Sequence, residues 1–269
     1  MSPTSENLSA TQAAAAQLVE AMRSGRSLSR LPHGLEPLTE AAGWAIQRTL
    51  PELMLGRRAG WKIAATSAKG QKHIGVSAPI AGQLLLPGRY QSGNRVSLTG
   101  NHMRVVEAEF GFVLAKDLTP AAAPASLNTL RAAVDRVVPT LEIPNSRFEQ
   151  FEQVGAPSLW ADNGCAHQWV EGAPISAERI SGLSQTQVRL KRSRGNDQVV
   201  NAGSGEAVLG DPWAALLWLV RKLHAWGITL HAGEIISTGS TTQPMPVEPG
   251  DTLEASFGDW GSVSVHLTP

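Results

Sequence analysis

The stretch VVEAEFGFVL, residues 105–114, places two carboxylates two positions apart at the mouth of an apolar run. In an extended strand, alternate side chains share a face. Glu107 and Glu109 therefore point one way, while Ala108, Phe110, Phe112 and Leu114 point the other, toward a core. Like charges on one face repel unless water or a cation separates them. The pair has two readings: a wet strand face, or half of a metal site. A third acid, Glu142, stands in PTLEIP (139–144) among apolar residues, where an unpartnered carboxylate is costly. Three oxygen donors of this kind, completed by water, suit magnesium or manganese better than zinc. The competing reading gives Glu142 a salt bridge and leaves the pair to solvent. Spacing alone leaves both open.

Working outward, the chain alternates short apolar runs with ordinary turn signals. GWKIAATS (60–67) reads as a strand ending in small polar residues, and APIAGQLL (78–85) as a turn followed by a strand. Leu130 to Val138 reads as helix, followed by a short buried strand closed by Pro144 and Asn145. Val188 and Leu190 alternate with Arg189 and Lys191 before Gly195-Asn196-Asp197, a hairpin pattern. Asp211 and Pro212 open the strongest helix, with Leu216, Leu219, Val220 and Leu223 on its core face and Gly227 at its end. Two last strands flank Gly258 to Gly261. Toward the N-terminus, residues 1–8 read as frayed. Ser9 and Gln12 fit a capping box that starts one helix, and a second runs from Thr39 to about Leu50. The expected organisation is an N-terminal helical segment, 1–59, joined to a strand-rich core, 60–269.

Composition narrows the function. The 269 residues are 42% hydrophobic, enough for a substantial core, and 23 basic residues balance 23 acidic ones. A balanced charge gives no electrostatic case for nucleic acid. Lys191, Arg192 and Arg194 read as a solvated hairpin turn. One cysteine, Cys165, makes neither an intrachain disulfide nor a multi-thiolate metal site and reads as a packing residue. No apolar run approaches a membrane span and the N-terminus lacks a leader pattern, so a cytoplasmic chain without membrane contact is expected.

Other polar residues stand in apolar settings. Lys62 is either a proton shuttle with a pKa lowered by desolvation or a salt-bridged lysine. Asp162, in LWADNGCAH (159–167), either orients a water or the lysine, or bonds its own loop. His167 is a weaker catalytic candidate. Ser240, Thr241 and Thr242 either donate to a substrate carboxylate or form an ordinary Ser/Thr turn. The glycines around them match no nucleotide-binding pattern. Trp61, Trp160, Trp169 and Phe148 either line a pocket or prop it.

Five segments in order, GWKIAATS, VEAEFGFVLAKDL, PTLEIPNSRFE, ADNG and LHAWGITLHAGEIISTGSTTQPMPVEPGD, resemble the 2-keto-4-pentenoate hydratase / 4-oxalocrotonate decarboxylase family of the fumarylacetoacetate hydrolase superfamily. The resemblance covers nearly the whole chain. It implies an α+β fold, a mixed β-roll core with an N-terminal helical segment, and homo-oligomeric assembly. It implies Mg²⁺ or Mn²⁺ held by Glu107, Glu109 and Glu142, with Lys62 and Asp162 moving protons. Ser67, Ser240, Thr241 and Thr242 would bind a small 2-oxoacid substrate.

The implied reaction is addition of water to a 2-hydroxydienoate, giving a 4-hydroxy-2-oxoacid. The alternatives are a 4-oxalocrotonate-type decarboxylase, a C–C hydrolase of an acylpyruvate-like substrate, and a non-catalytic oxoacid-binding relative. One departure separates the branches. Hydratases of this pattern carry an acid in a P-D-x-G arrangement, whereas this chain reads Pro79-Ile80-Ala81-Gly82, a form more like the decarboxylases. Pro144 and Asn145 are departures too, because an Asp is usual near Asn145.

Overall fold

A computed structural model describes residues 9–121, 126–176 and 182–269. The expected fraying of residues 1–8 lies outside them. Helix α1, Ala10–Ser24, starts at a capping box in which Ser9 and Gln12 bond reciprocally, and it ends at Gly25 in the left-handed region. The expected second helix is split into α2, Glu40–Gln47, capped by Thr39, and α3, Leu50–Leu53, with Pro51 in its first turn. Proline has no N–H to continue a helix, but in a first turn that N–H is not needed. Ala14, Ala15, Leu18, Val19, Ile46 and Leu50 form a small core closed by Phe148 and Ala161.

Strand β1, Arg58–Ala64, follows, then the short helix α4, Ala68–His73, and strands β2, Ile80–Leu85, β3, Arg89–Gln91, and β4, Arg95–Ser97. β5, Val105–Leu114, is buried on both faces from Ala108 onward. Helix α5, Leu127–Arg131, ends early, and β6 runs from Val134 to Ile143. The helix expected over 130–138 is therefore mostly strand. Val134, Val137 and Val138 have helical spacing, but they are β-branched and pair with β5 (Val137 opposite Phe112), so sheet packing decides.

The chain continues with α6, Gly155–Ala161, β7, Gln168–Glu171, β8, Ile175–Ser176, and the hairpin β9, Gln187–Arg194, with β10, Asp197–Ser204. Arg192 and Arg194 of that hairpin are not simply solvated. Arg192 pairs with Asp197, and Arg194 with Asp251 and Glu248. Helix α7, Pro212–Ala225, has Asp211 as its cap and buries the expected face. Trp213 packs on Phe112 with ring centroids 4.4 Å apart. β11, Ile235–Ser240, β12, Met245–Pro246, β13, Thr252–Ser256, and β14, Ser262–Thr268, complete the chain.

Among the described residues the strands form two sheets. The larger has the order β2-β1-β11-β5-β6-β7-β3, with β12 beside β5 and β8 beside β6; the smaller has the order β10-β9-β13-β14-β4. The larger is mixed: β1 runs parallel to β11, while β11, β5 and β6 are successively antiparallel. One core joins the two sheets, with Phe110 of β5 edge-on to Phe257 at 5.0 Å. Trp61, Trp160 and Trp169 are fully buried in packing, and Phe148 nearly so. No helix among the described residues is long and apolar enough to cross a membrane.

Candidate active site

Register brings the three acids together. Glu107 of β5 lies directly opposite Glu142 of β6, and Glu109 lies opposite Thr140. Their side chains share one face. One carboxylate oxygen from each lies within 4.8 Å of the others. Lys62 reaches the group from β1, where it pairs with Ser237 of β11. Its Nζ lies 3.0 Å from Glu142 Oε1 and donates to the Gly164 carbonyl at 3.1 Å. Glu109 and Glu142 are fully buried, which removes the solvated-face reading for them, while Glu107 is half-buried.

Glu109 is gripped on one side only. Oε2 accepts from Ser237 Oγ at 2.6 Å and from the Gly239 N–H at 3.0 Å. Thr140 Oγ1 donates to the Glu109 carbonyl at 3.1 Å. Gly239 sits at a register shift in β11 with φ 108°, and a Cβ there would lie 2.1 Å from Thr66 Oγ1. Only glycine lets the N–H turn inward at this point. By contrast, Glu109 Oε1 and both Glu142 oxygens lack a well-formed hydrogen bond, and Glu142 Oε1 has only the Lys62 ammonium 3.0 Å away.

This is the arrangement a divalent cation fits. Three carboxylates and one ammonium leave a surplus of two negative charges, in a place where each uncompensated charge is costly. Burial pushes the Glu107 carboxyl up to about 7, helped by Glu142 and opposed by Lys62. Burial also raises Glu109 and Glu142, and Glu109 is raised further by both neighbouring acids. Lys62 departs from the expectation of a lowered pKa. Burial pulls it down, but Glu142, Glu107 and Glu109 outweigh burial, so it is raised and stays an ammonium.

A cavity of about 750 Å³ opens on this group. Lys62, Glu107, Ser67, Ser240, Thr241 and Thr242 all line it. The hydroxyls are engaged with the chain. Ser67 accepts from the Gly70 N–H, while Ser240 donates to the Thr242 carbonyl and Thr241 to the Ala108 carbonyl. Cys165 also lines the cavity, with its thiol pushed up to about 12 by burial and Asp162, so it is inert. His167 is pushed down to about 4 by burial and Arg147, and is neutral.

Asp162 is not brought in with them. Fully buried, it ion-pairs with the Arg147 guanidinium and accepts from Ser146 Oγ at 2.6 Å and the Arg147 N–H at 3.1 Å. Asn163 next to it bonds like a strand residue, with Oδ1 taking the Gln83 N–H at 2.6 Å and Nδ2 meeting the Gln83 carbonyl at 2.9 Å. Together they hold Asn163, Gly164 and Cys165 at successive positive φ of 57°, 56° and 62°. Such backbone costs energy unless its surroundings fix it. Here it delivers the Gly164 carbonyl to Lys62. Gly82 makes room, since a Cβ would stand 2.0 Å from the Asn163 carbonyl. Asn145 is likewise structural: it accepts from the His102 N–H and donates to the Gly100 carbonyl, and an aspartate could not do both. Arg147, Gly239 and Ser237 escaped sequence reasoning, and only the alternation in IISTGS hinted at the last.

Two curled sheets with a shared cavity lined by Lys62 and Glu107, and Glu109 and Glu142 buried beside them, define a class: metal-dependent enzymes acting on small molecules. The profile of the fumarylacetoacetate (FAA) hydrolase C-terminal family matches residues 88–268. Along most of its length the chain is also similar to curated enzymes. A 2-keto-4-pentenoate hydratase of Paraburkholderia xenovorans (strain LB400) is 36% identical over 94% of this chain and 93% of that protein. A 4-oxalocrotonate decarboxylase of Pseudomonas sp. (strain CF600) is 31% identical over 83% and 82%. Among solved structures, the 4-oxalocrotonate decarboxylase from Pseudomonas putida G7, complexed with magnesium and adipate, superposes with a TM-score of 0.86 at 28% identity, covering 97% of this chain and 99% of that one. The chain belongs to the fumarylacetoacetate hydrolase family, in its 2-keto-4-pentenoate hydratase / 4-oxalocrotonate decarboxylase group.

Proposed function

We propose that the chain is a Mg²⁺- or Mn²⁺-dependent hydro-lyase that adds water to a 2-hydroxydienoate and yields a 4-hydroxy-2-oxoacid. The observation that carries this reading is the set of buried, poorly satisfied carboxylate oxygens around Lys62, which with Glu107 lines the cavity. A relative that bound neither metal nor oxoacid would have little reason to keep so costly a group. Glu107, Glu109 and Glu142 would hold the cation. The chemistry it supplies when bound is Lewis-acid polarisation of the substrate's 2-oxo group.

The chain's own residues do the rest. Lys62, held as an ammonium between Glu142 and the Gly164 carbonyl, donates a proton to one of the two substrate carbons that gain hydrogen, C3 and C5, and is reprotonated by the proton that the enol hydroxyl or the added water gives up. Asp162, closed into Arg147, is a positioning residue: it anchors the strained turn that orients Lys62. Ser67 and Ser240 to Thr242 turn toward the substrate's carboxylate when it displaces their main-chain partners. The decarboxylase reading remains second, and one observation favours it. Ile80 lines the cavity where the hydratase pattern has an acid.

Metal-free protein with added Mn²⁺, offered 2-hydroxypenta-2,4-dienoate and 2-oxohex-3-enedioate, tests both. Gain of water by the first, abolished in Glu109→Gln, is the expected result. Release of carbon dioxide from the second moves the chain to the decarboxylases, and neither reaction refutes both. The division expected at 59/60 is read as helices α1 to α3 packed on Phe148 and Ala161 of the strand-rich core, which starts with β1 at Arg58. Homo-oligomeric assembly belongs to the same proposal, supported by the exposed Leu38 and Leu55, and sedimentation tests it.

A further inference from the structure

Part of the cavity wall is apolar. Ile74, Ile80, Met103, Val105, Phe151 and Leu159 line it. Ile74, Met103, Val105 and Phe151 are only half-buried, so apolar surface is left facing the cavity. Ile74, Met103 and Phe151 pack behind against the main core, which holds the wall in place. On β5, Val105 shares the face of Glu107, and two residues of antiparallel strand separate them by roughly 7 Å. A substrate whose head lies at the carboxylates leaves its far carbons against this wall.

The charges lining the cavity do not suit an acidic tail. Besides Lys62, the basic residues lining it are Lys69 and His73. Lys69 Nζ is tied to Gln243 Oε1 at 2.8 Å on the exposed rim, and His73 faces Glu152 at 3.9 Å. Glu152 lines the same cavity and repels a second carboxylate. The volume, about 750 Å³, belongs to the range that takes ligands much larger than a five-carbon acid.

We propose that the preferred substrate carries an apolar substituent at carbon 5 or beyond, an alkyl or aryl 2-hydroxydienoate, and not a dicarboxylate. This rests on the oxoacid reading of the site. Two measurements separate the two claims. In the first, calorimetry on Mn²⁺-loaded protein gives Kd for saturated 2-oxoacids from 2-oxopentanoate to 2-oxooctanoate, with 2-oxoheptanedioate alongside. We expect Kd to tighten about four-fold per methylene, the fold-change that corresponds to about 0.8 kcal/mol for a buried CH₂. The dicarboxylate should bind more weakly than 2-oxoheptanoate. A flat series, or tighter dicarboxylate binding that is lost in Lys69→Met, overturns the proposal whether or not the protein turns over.

In the second measurement, kcat/KM for hydration of 2-hydroxypenta-2,4-dienoate is compared with its 5-propyl derivative. The ratio should favour the longer chain by on the order of fifty-fold, mainly through KM. Val105→Thr and Phe151→Ser should each shrink that ratio, and Phe151→Leu should restore it. A ratio of one, or one that Val105→Thr leaves alone, sinks the apolar wall. Absence of hydration on every dienoate, with chain-length-dependent binding intact, would instead overturn the hydratase reading and keep the wall.

Discussion

Two fully buried acid clusters lie on either side of the Gly164 turn, and they are built on opposite principles. At Asp162, every acceptor is used. The Arg147 guanidinium, its N–H and Ser146 Oγ close on the carboxylate, while Arg147 also donates to the Asn145 carbonyl at 2.8 Å. At Glu109 and Glu142, three carboxylate oxygens lack a well-formed hydrogen bond, and one ammonium faces three acids. Both clusters share the same low-dielectric interior, where an unpaired charge costs several kcal/mol. A fold that satisfies one cluster completely and leaves the other starved a few residues away is keeping the second for something outside the chain. Burial alone does not mark a functional acid; the missing partner does.

The comparison breaks most visibly at Glu109. Glu109→Gln keeps an acceptor for Ser237 Oγ and the Gly239 N–H but removes a charge. We expect kcat/KM to fall at least about a thousand-fold, the several kcal/mol that a metal contributes to such a reaction. Thermal melting of the metal-free protein should hold or rise, because repulsion with Glu107 and Glu142 is relieved. Asp162→Asn should do the reverse. It leaves Arg147 buried without its counter-charge, at a cost of roughly 3–5 kcal/mol. At a temperature where the variant is folded, Mn²⁺ titration should still show binding. Loss of metal binding without loss of stability would return Asp162 to the chemistry.

The same contrast explains what the sequence could and could not reveal. Glu107 and Glu109 were legible because strand alternation is local, and Glu142 because an acid among Leu141, Ile143 and Pro144 is conspicuous. Helix α7 was legible because Asp211, Pro212 and Gly227 mark its ends. Arg147 was not, because its role depends on a partner 15 residues away that no periodicity announces. The helical reading of 130–138 failed where a valine-rich spacing fits two periods and the neighbouring strand chooses. The cavity itself draws on β10, whose Ala202 and Gly203 come from the other sheet, so its walls exist only after the sheets meet.

Gly239 sharpens the comparison at a smaller scale. Gly239→Ala puts a methyl against the Thr66 side chain at a backbone angle that L residues rarely adopt. Stability should fall by about 1–3 kcal/mol. The displaced N–H should also weaken Mn²⁺ binding about ten-fold, at the low end of what lost outer-shell support costs. A variant that melts lower but binds Mn²⁺ normally would make the glycine a packing requirement only.

The smallest effect is the dependence of metal binding on pH. Glu107, pushed up to about 7, takes a proton in the metal-free protein near neutrality. Its raised pKa makes its contribution to metal-free stability fullest below the ordinary value of 4.5, and that contribution is lost as pH rises through about 7. His167 runs the other way. It is pushed down to about 4, so its contribution is present above 6.5 and lost as pH falls through about 4. The two overlap between pH 6.5 and 4.5, so melting temperature is a poor probe there. Metal affinity isolates the acid, because a cation must displace the Glu107 proton while His167 lies outside the carboxylate group. Mn²⁺ Kd should rise at least about ten-fold per pH unit below about 7, because burial raises Glu109 and Glu142 as well. Glu107→Gln should make that slope shallower while weakening binding at high pH. A slope that the substitution leaves unchanged would assign the displaced proton to Glu109 or Glu142 and not to Glu107.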